Sequence, residues 1–132
     1  MKNMAQISAR YIGQSFEAYG CLEFVVAFLK DLGWRPPTEI DGWSLSNYRD
    51  LVEDDIKQAQ DVMVQIFKGL GRPASIDYPE SGSLLVVQQP SGVLFPAVCT
   101  GFGMALASFI RTGICMFELD KQNKPVVARR VL

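Results

Sequence analysis

The sequence predicts an α+β domain, with N-terminal helices packed on a C-terminal antiparallel sheet of four to five strands. Three observations lead there. Apolar residues recur at helical spacing until about residue 70. After Pro79 they gather instead into short runs divided by glycine- and proline-containing turns. The chain has 132 residues, 48% of them apolar, enough for one domain with a substantial core. The expected unit is a single domain over 1–132, with a helical half of about 1–72 and a sheet half of about 80–132. No internal repeat, low-complexity tract or linker divides it.

Residues 3–12 suit a short helix with Met4, Ile7, Tyr11 and Ile12 on one side. Residues 21–32 form the most apolar helix. Cys21, Phe24, Val25, Phe28, Leu29 and Leu32 follow the i, i+3, i+4, i+7 pattern of a buried face, and Leu22 and Val26 widen it. Gly33 and Arg35-Pro36-Pro37 stop that helix. Segment 34–43 reads as a surface loop. Its Trp34 and Trp43 either line a groove or cap the edge of the core. A short helical turn is expected at 44–51. Glu53-Asp54-Asp55 then places acid at the start of another helix, with Ile56, Ala59, Met63, Ile66, Phe67 and Leu70 as its apolar stripe. Gly69 to Pro73 ends it.

Strands are expected over 83–89, 93–100, 104–110, 114–119 and 126–131. Pro90-Ser91-Gly92, Gly101-Phe102-Gly103, Arg111-Thr112-Gly113 and Asp120–Lys124 form the turns between them. Tight turns between short strands predict an antiparallel meander, with the central helix laid against it.

Thirteen basic and fourteen acidic residues leave a formal net charge of −1. No basic stripe argues for nucleic acid, and Arg129-Arg130 reads as a solvated strand end. The stretch from Val93 to Ile110 is broken by Pro96 and glycines, so no membrane span is expected. The first ten residues lack the apolar centre of a signal peptide, so the chain is expected to be cytoplasmic as synthesised. Cys21, Cys99 and Cys115 show no paired spacing, and the chain contains no histidine. No metal site and no cofactor are expected, and free thiols fit a reducing compartment.

Cys21 follows a polar, glycine-containing loop and opens the apolar helix. A thiol at a helix N-terminus feels the positive end of the dipole and ionises more readily. A cysteine hydrolase also needs a group to take up and return a proton, and this chain has no imidazole to do so. Glu17, four residues earlier, is the only carboxylate near in sequence on that side, and it reads as solvated. On helical spacing alone, Cys21 is a small hydrophobe of the core face. Cys99 and Cys115 lie in apolar strand-like runs and read as core.

The order of these segments resembles the NlpC/P60 family of papain-like cysteine peptidases, and the likeness spans most of the chain. Tyr11-Ile12-Gly13-Gln14-Ser15-Phe16 is similar to the family's hydrophobic-Gly-x-x-Tyr lead-in. Gly20-Cys21-Leu22-Glu23-Phe24-Val25 is similar to its nucleophile motif, Asp-Cys-Ser-x-hydrophobic-Val. Pro79 to Val86 is similar to Pro-x-x-Gly-Asp-Leu-hydrophobic, and Gly101-Phe102-Gly103 to a hairpin Gly-x-Gly. The resemblance extends to versions encoded with phage tail proteins. It implies a papain-like fold, Cys21 at the nucleophile position, peptidoglycan peptides as the family's substrates, and a phage or prophage protein associated with the virion.

The departures are as informative as the matches. Gly20 stands where the family has an acid, Leu22 where it has a small polar residue, and Ser83 where it has Asp. The catalytic histidine's place falls within Leu94-Phe95-Pro96, with Phe95 as the match. The third, orienting residue falls within Leu106-Ala107-Ser108, with Ala107 as the match. An unassisted thiol of pKa about 8.5 is only a few per cent ionised at pH 7. Losing general acid and base help costs on the order of 10²–10⁴ in rate.

The leading expectation is therefore a catalytically inactive NlpC/P60-like domain kept for binding or assembly. Its cleft would be lined by Phe16, Tyr19, Cys21, Phe95 and Ala107 and would hold a peptide or protein partner. Two alternatives stay open. One is an active cysteine hydrolase or acyltransferase using Cys21 with a base other than histidine or one supplied by a partner chain. The other is an unrelated α+β subunit whose apolar faces pair in a homo-oligomer.

Overall fold

The structure, a computed structural model, describes residues 3–17, 20–40 and 42–132. Helix α1, Met4–Tyr11, starts at Asn3, whose side chain accepts from the Gln6 amide at 2.8 Å while the Gln6 side chain accepts from the Asn3 amide at 3.3 Å. This reciprocal cap satisfies donors that the first helical turn leaves free. Helix α2, Cys21–Asp31, buries Leu22, Phe24, Val25, Phe28 and Leu29, the face its periodicity announces. Tyr11, Phe24 and Phe28 form a ring trio with centroids 5.5–5.7 Å apart. The Tyr11 hydroxyl donates to Asp31 at 2.6 Å, and Arg10 pairs with the same carboxylate at 3.2 Å. These contacts tie α1 to the end of α2.

Helix α3, Leu45–Asp54, is a full ten-residue helix where the sequence suggested a shorter turn, and Glu53 and Asp54 close it. Asp55 alone serves α4, Ile56–Lys68: it is the N-cap and accepts from the Gln58 amide at 3.1 Å. Asp55 is extended (φ −153°, ψ 91°), so one residue ends α3 and starts α4.

The strands are β1, Arg72–Pro73; β2, Leu84–Gln88; β3, Leu94–Gly101; β4, Met104–Phe109; β5, Gly113–Glu118; and β6, Lys124–Arg130. They form one antiparallel sheet in the order β1-β6-β2-β3-β4-β5, six strands rather than the expected four or five. The extra strand is β1, at the boundary where the expected helical half ends. Arg72 and Pro73 pair with Arg130 and Arg129 at the sheet edge, where proline is tolerated. The Arg129 guanidinium reinforces this junction, donating to Leu70 O at 2.6 Å and Gly71 O at 3.1 Å. Arg130 pairs with Glu80 at 3.5 Å.

Strands β2 to β5 make the expected meander, but β6 leaves it to pair with the far side of β2. In a flat sheet, β5 and β6 would lie four strand spacings apart, about 19 Å. Residues 119–123 join them, and they fold into a compact turn. The Asp120 carboxylate accepts from the amides of Gln122 (2.8 Å) and Asn123 (3.0 Å), and Asp120 N donates to Asn123 O at 3.1 Å. The sheet must therefore roll to bring its ends together. Irregularities at Val86/Val87 and Cys99/Gly101 supply local bends.

Rolling buries both faces. The outer face, with Leu84, Val86, Val98, Leu106, Ile114 and Val127, packs against the helices. The inner face holds Leu85, Val87, Ala97, Cys99, Ala105, Ala107 and Ala128. The four alanines there suit the limited room inside a tightly curved sheet. Phe95, Phe109 and Phe117 border that interior as an edge-to-face trio with centroids 5.2–5.8 Å apart.

Candidate functional site

The segment leading to Cys21 is pinned to the sheet. Gly13 N donates to Ile114 O, and Ile114 N donates to Gln14 O, both at 2.9 Å. These two hydrogen bonds cover part of the outer edge of β5 and anchor residues 13–14 to the sheet upstream of α2. Gly20 is the N-cap of α2, extended at φ −64° and ψ 172°, and offers no side-chain cap. Gly20 O accepts from Phe24 N at 2.9 Å, so Cys21 is the first residue of a regular helix. Cys21 is partly buried.

Its surroundings oppose ionisation. Burial pushes the Cys21 thiol above its ordinary value. The backbone amides of Leu22 and Cys21 pull the other way, and the Glu23 carboxylate adds a smaller upward push. The dipole effect anticipated at this helix start is therefore outweighed. Tyr48, on α3 and 4% exposed, is near enough for a Cys21 thiolate to hinder its ionisation. Burial contributes more, and together they hold the phenol well above its usual range. Tyr48 thus stays a neutral phenol and is a poor proton acceptor. Glu17 is exposed. Among the described residues, no cluster of three or more Cys, Asp or Glu side chains is placed to hold a metal ion.

Among the described residues expected to share a cleft, Phe95 and Ala107 are not on the side of the sheet that α2 covers. Phe16 is half-buried in the turn before α2, and Tyr19 lies outside the described residues. Phe95 and Ala107 belong to the inner face of the sheet, whereas α2 packs on the outer face. Neither Phe95 nor Ala107 is on the helix-facing side of its strand. Strand alternation places Leu94 and Pro96 on the helix side of β3, and Leu106 and Ser108 on that side of β4. The helix-facing polar group near the expected third position is therefore Ser108, buried at 5% exposure. At the expected histidine position the helix-facing choices, Leu94 and Pro96, carry no base.

A second feature lies on the same side of the sheet. A cavity of about 600 Å³ opens beside α2, between residues 34–44, α3 and α4, with Leu84 of β2 among its lining. Trp34, Trp43, Tyr48 and Phe67 provide its aromatic surface. The two tryptophans flanking Pro36-Pro37 were the sequence signal for it. Tyr48 carried none, because only the return of α3 brings it next to α2.

Among the described residues, no helix is long and apolar enough to cross a membrane. Comparison with protein-family models and with curated proteins gives no match to this chain.

Proposed function

We propose that this protein is a non-catalytic binding or assembly domain of NlpC/P60-like, papain-related design. The observation that carries this reading is the state of Cys21. It heads the central helix, where the resemblance puts the nucleophile, yet burial and Glu23 favour its neutral thiol. Its titratable neighbour Tyr48 is held protonated, and the chain has no histidine. Thiol hydrolysis needs a thiolate and a proton carrier, and this environment favours neither.

The exposed apolar surface supports the assembly side of the proposal. Phe102, at the β3–β4 turn, is fully exposed and has a left-handed backbone (φ 55°), costly for a bulky residue. Tyr78, 86% exposed, and Ile76 line the same hollow as Phe102. A role in a phage or prophage tail rests on the resemblance of the motifs.

Incubation with cell-wall stem peptides, followed by mass spectrometry, tests the proposal. The expected result is no turnover by either the native chain or Cys21→Ala. Turnover that Cys21→Ala abolishes would establish a hydrolase and refute a purely binding role.

A further inference from the structure

The cavity beside α2 is built in advance. Trp34 N donates to Leu29 O at 2.9 Å, anchoring the first tryptophan to the end of the helix. Ile40 and Trp43 exchange two backbone hydrogen bonds, each 2.9 Å, which close the turn carrying the second. Pro36 and Pro37 fix two φ angles between them. The aromatic walls are thus held without a ligand, and a volume of about 600 Å³ suits a small organic molecule.

The charge at this cavity is one-sided. Its lining includes Lys30 and Arg35 and, among the described residues, no carboxylate. Both cations are exposed, and neither forms an ion pair with a described residue. Lys30 lies in the last turn of α2, where the helix dipole favours a cation. Arg35 lies beyond the helix, so the dipole does not account for it. In a chain of net charge −1, two cations with no ion-pair partner among the described residues, beside an apolar cavity, form a specific complement.

We infer that this cavity binds an amphiphilic carboxylate, its apolar body against Trp34, Trp43 and Tyr48 and its carboxylate at Lys30 and Arg35. The aromatic walls take up the chain or ring by excluding water from it. The guanidinium and ammonium groups select the anion over a neutral head of equal size. Tyr48 adds a neutral hydroxyl within the site. This inference is independent of the likeness to cysteine peptidases.

Trp34 and Trp43 are the only tryptophans in the chain, and both line the cavity, so intrinsic fluorescence reports on occupancy. The test titrates the folded full chain with decanoate, decanol and decyltrimethylammonium, each below its self-association concentration. Decanoate should give a saturable change in tryptophan emission, with decanol at least about tenfold weaker and the cation weaker still. The Lys30→Gln/Arg35→Gln variant should bring decanoate affinity down to that of decanol and leave decanol unaffected. Arg35→Gln alone, outside any helix, should show part of the same loss if the double variant is unstable. Val26→Phe, which fills part of the cavity, should weaken both ligands by calorimetry. Three results would each overturn the inference: no saturable response to decanoate, equal affinity for decanol, or undiminished decanoate binding in the double variant.

Discussion

Replacing Gly113 by alanine tests the backbone bridging of residues 13–14 to Ile114. Gly113 opens β5 with φ 73°, and an added Cβ would lie 2.2 Å from Gln14 O and 3.2 Å from its carbonyl carbon. Those atoms are backbone, so they cannot swing aside. The substitution should break the two 2.9 Å hydrogen bonds between residues 13–14 and Ile114. Two backbone hydrogen bonds at about 0.5–1.5 kcal/mol each, plus about 1 kcal/mol for the left-handed backbone, give a loss of roughly 2–4 kcal/mol. Gly92 is the control. Its φ is 92°, but nothing lies within 4 Å of an added Cβ, so Gly92→Ala carries the backbone cost alone. With an unfolding entropy of about 2.1 cal/mol/K per residue, each kcal/mol shifts the melting temperature by roughly 4 °C in a chain this size. Thermal melts should therefore show a drop of about 4 °C for Gly92→Ala and about 10 °C for Gly113→Ala. Alkylation of Cys21 should also accelerate in Gly113→Ala, because the segment before it is released. Equal melting shifts in the two variants would mean the bridge contributes nothing, and the reasoning would fail.

Two further outcomes follow from the site and the sheet. Burial raises the Cys21 and Cys99 thiols and the Tyr48 phenol. Above a pH of about 8.5, the folded chain thus holds protons that the unfolded chain has released. The stability these groups contribute is complete below that pH and declines above it, so the urea midpoint should fall between about pH 8 and pH 10. A midpoint that rises over this range would contradict the assigned burial. Phe95→Ala should cost about 2–3 kcal/mol in denaturant unfolding, since Phe95 is half-buried and packs on Phe109 and Phe117. The same variant should leave the alkylation rate of Cys21 unchanged, and a faster rate would place Phe95 on the wrong side of the sheet.

The order of elements and the faces of α2 and α4 were legible because each helix is apolar on one broad side. The strands were legible from their turns. The exceptions have physical causes. Strand β1 is two residues long, and its pairing is made by Arg129 and Arg130, far along the chain. The end of α3 was misread because three acids in a row look like one helix start, whereas only Asp55 caps. The placement of Phe95 and Ala107 failed for a more general reason. A sheet buried on one face reveals its inside by alternation. Here β3 and β4 are buried on both faces, so Leu94-Phe95-Pro96 and Leu106-Ala107-Ser108 contain no polar partner to mark the outside, apart from Ser108. Their orientation follows from the roll of the sheet, which depends on the β5–β6 turn.

The place of β6 bears on how the chain folds. Strands β2 to β5 are joined in sequence by short turns and can zip together hairpin by hairpin. Strand β6 is the last to emerge in the chain, yet it lies between β1 and β2. Until it docks, β1 has no neighbour and β2 presents an open edge. Closing that gap joins residues 72–73 to 129–130 across nearly sixty positions, a loop closure of high entropic cost. Seating of β6 is therefore the expected slow step, and the incomplete sheet before it is the state most exposed to pairing with another chain.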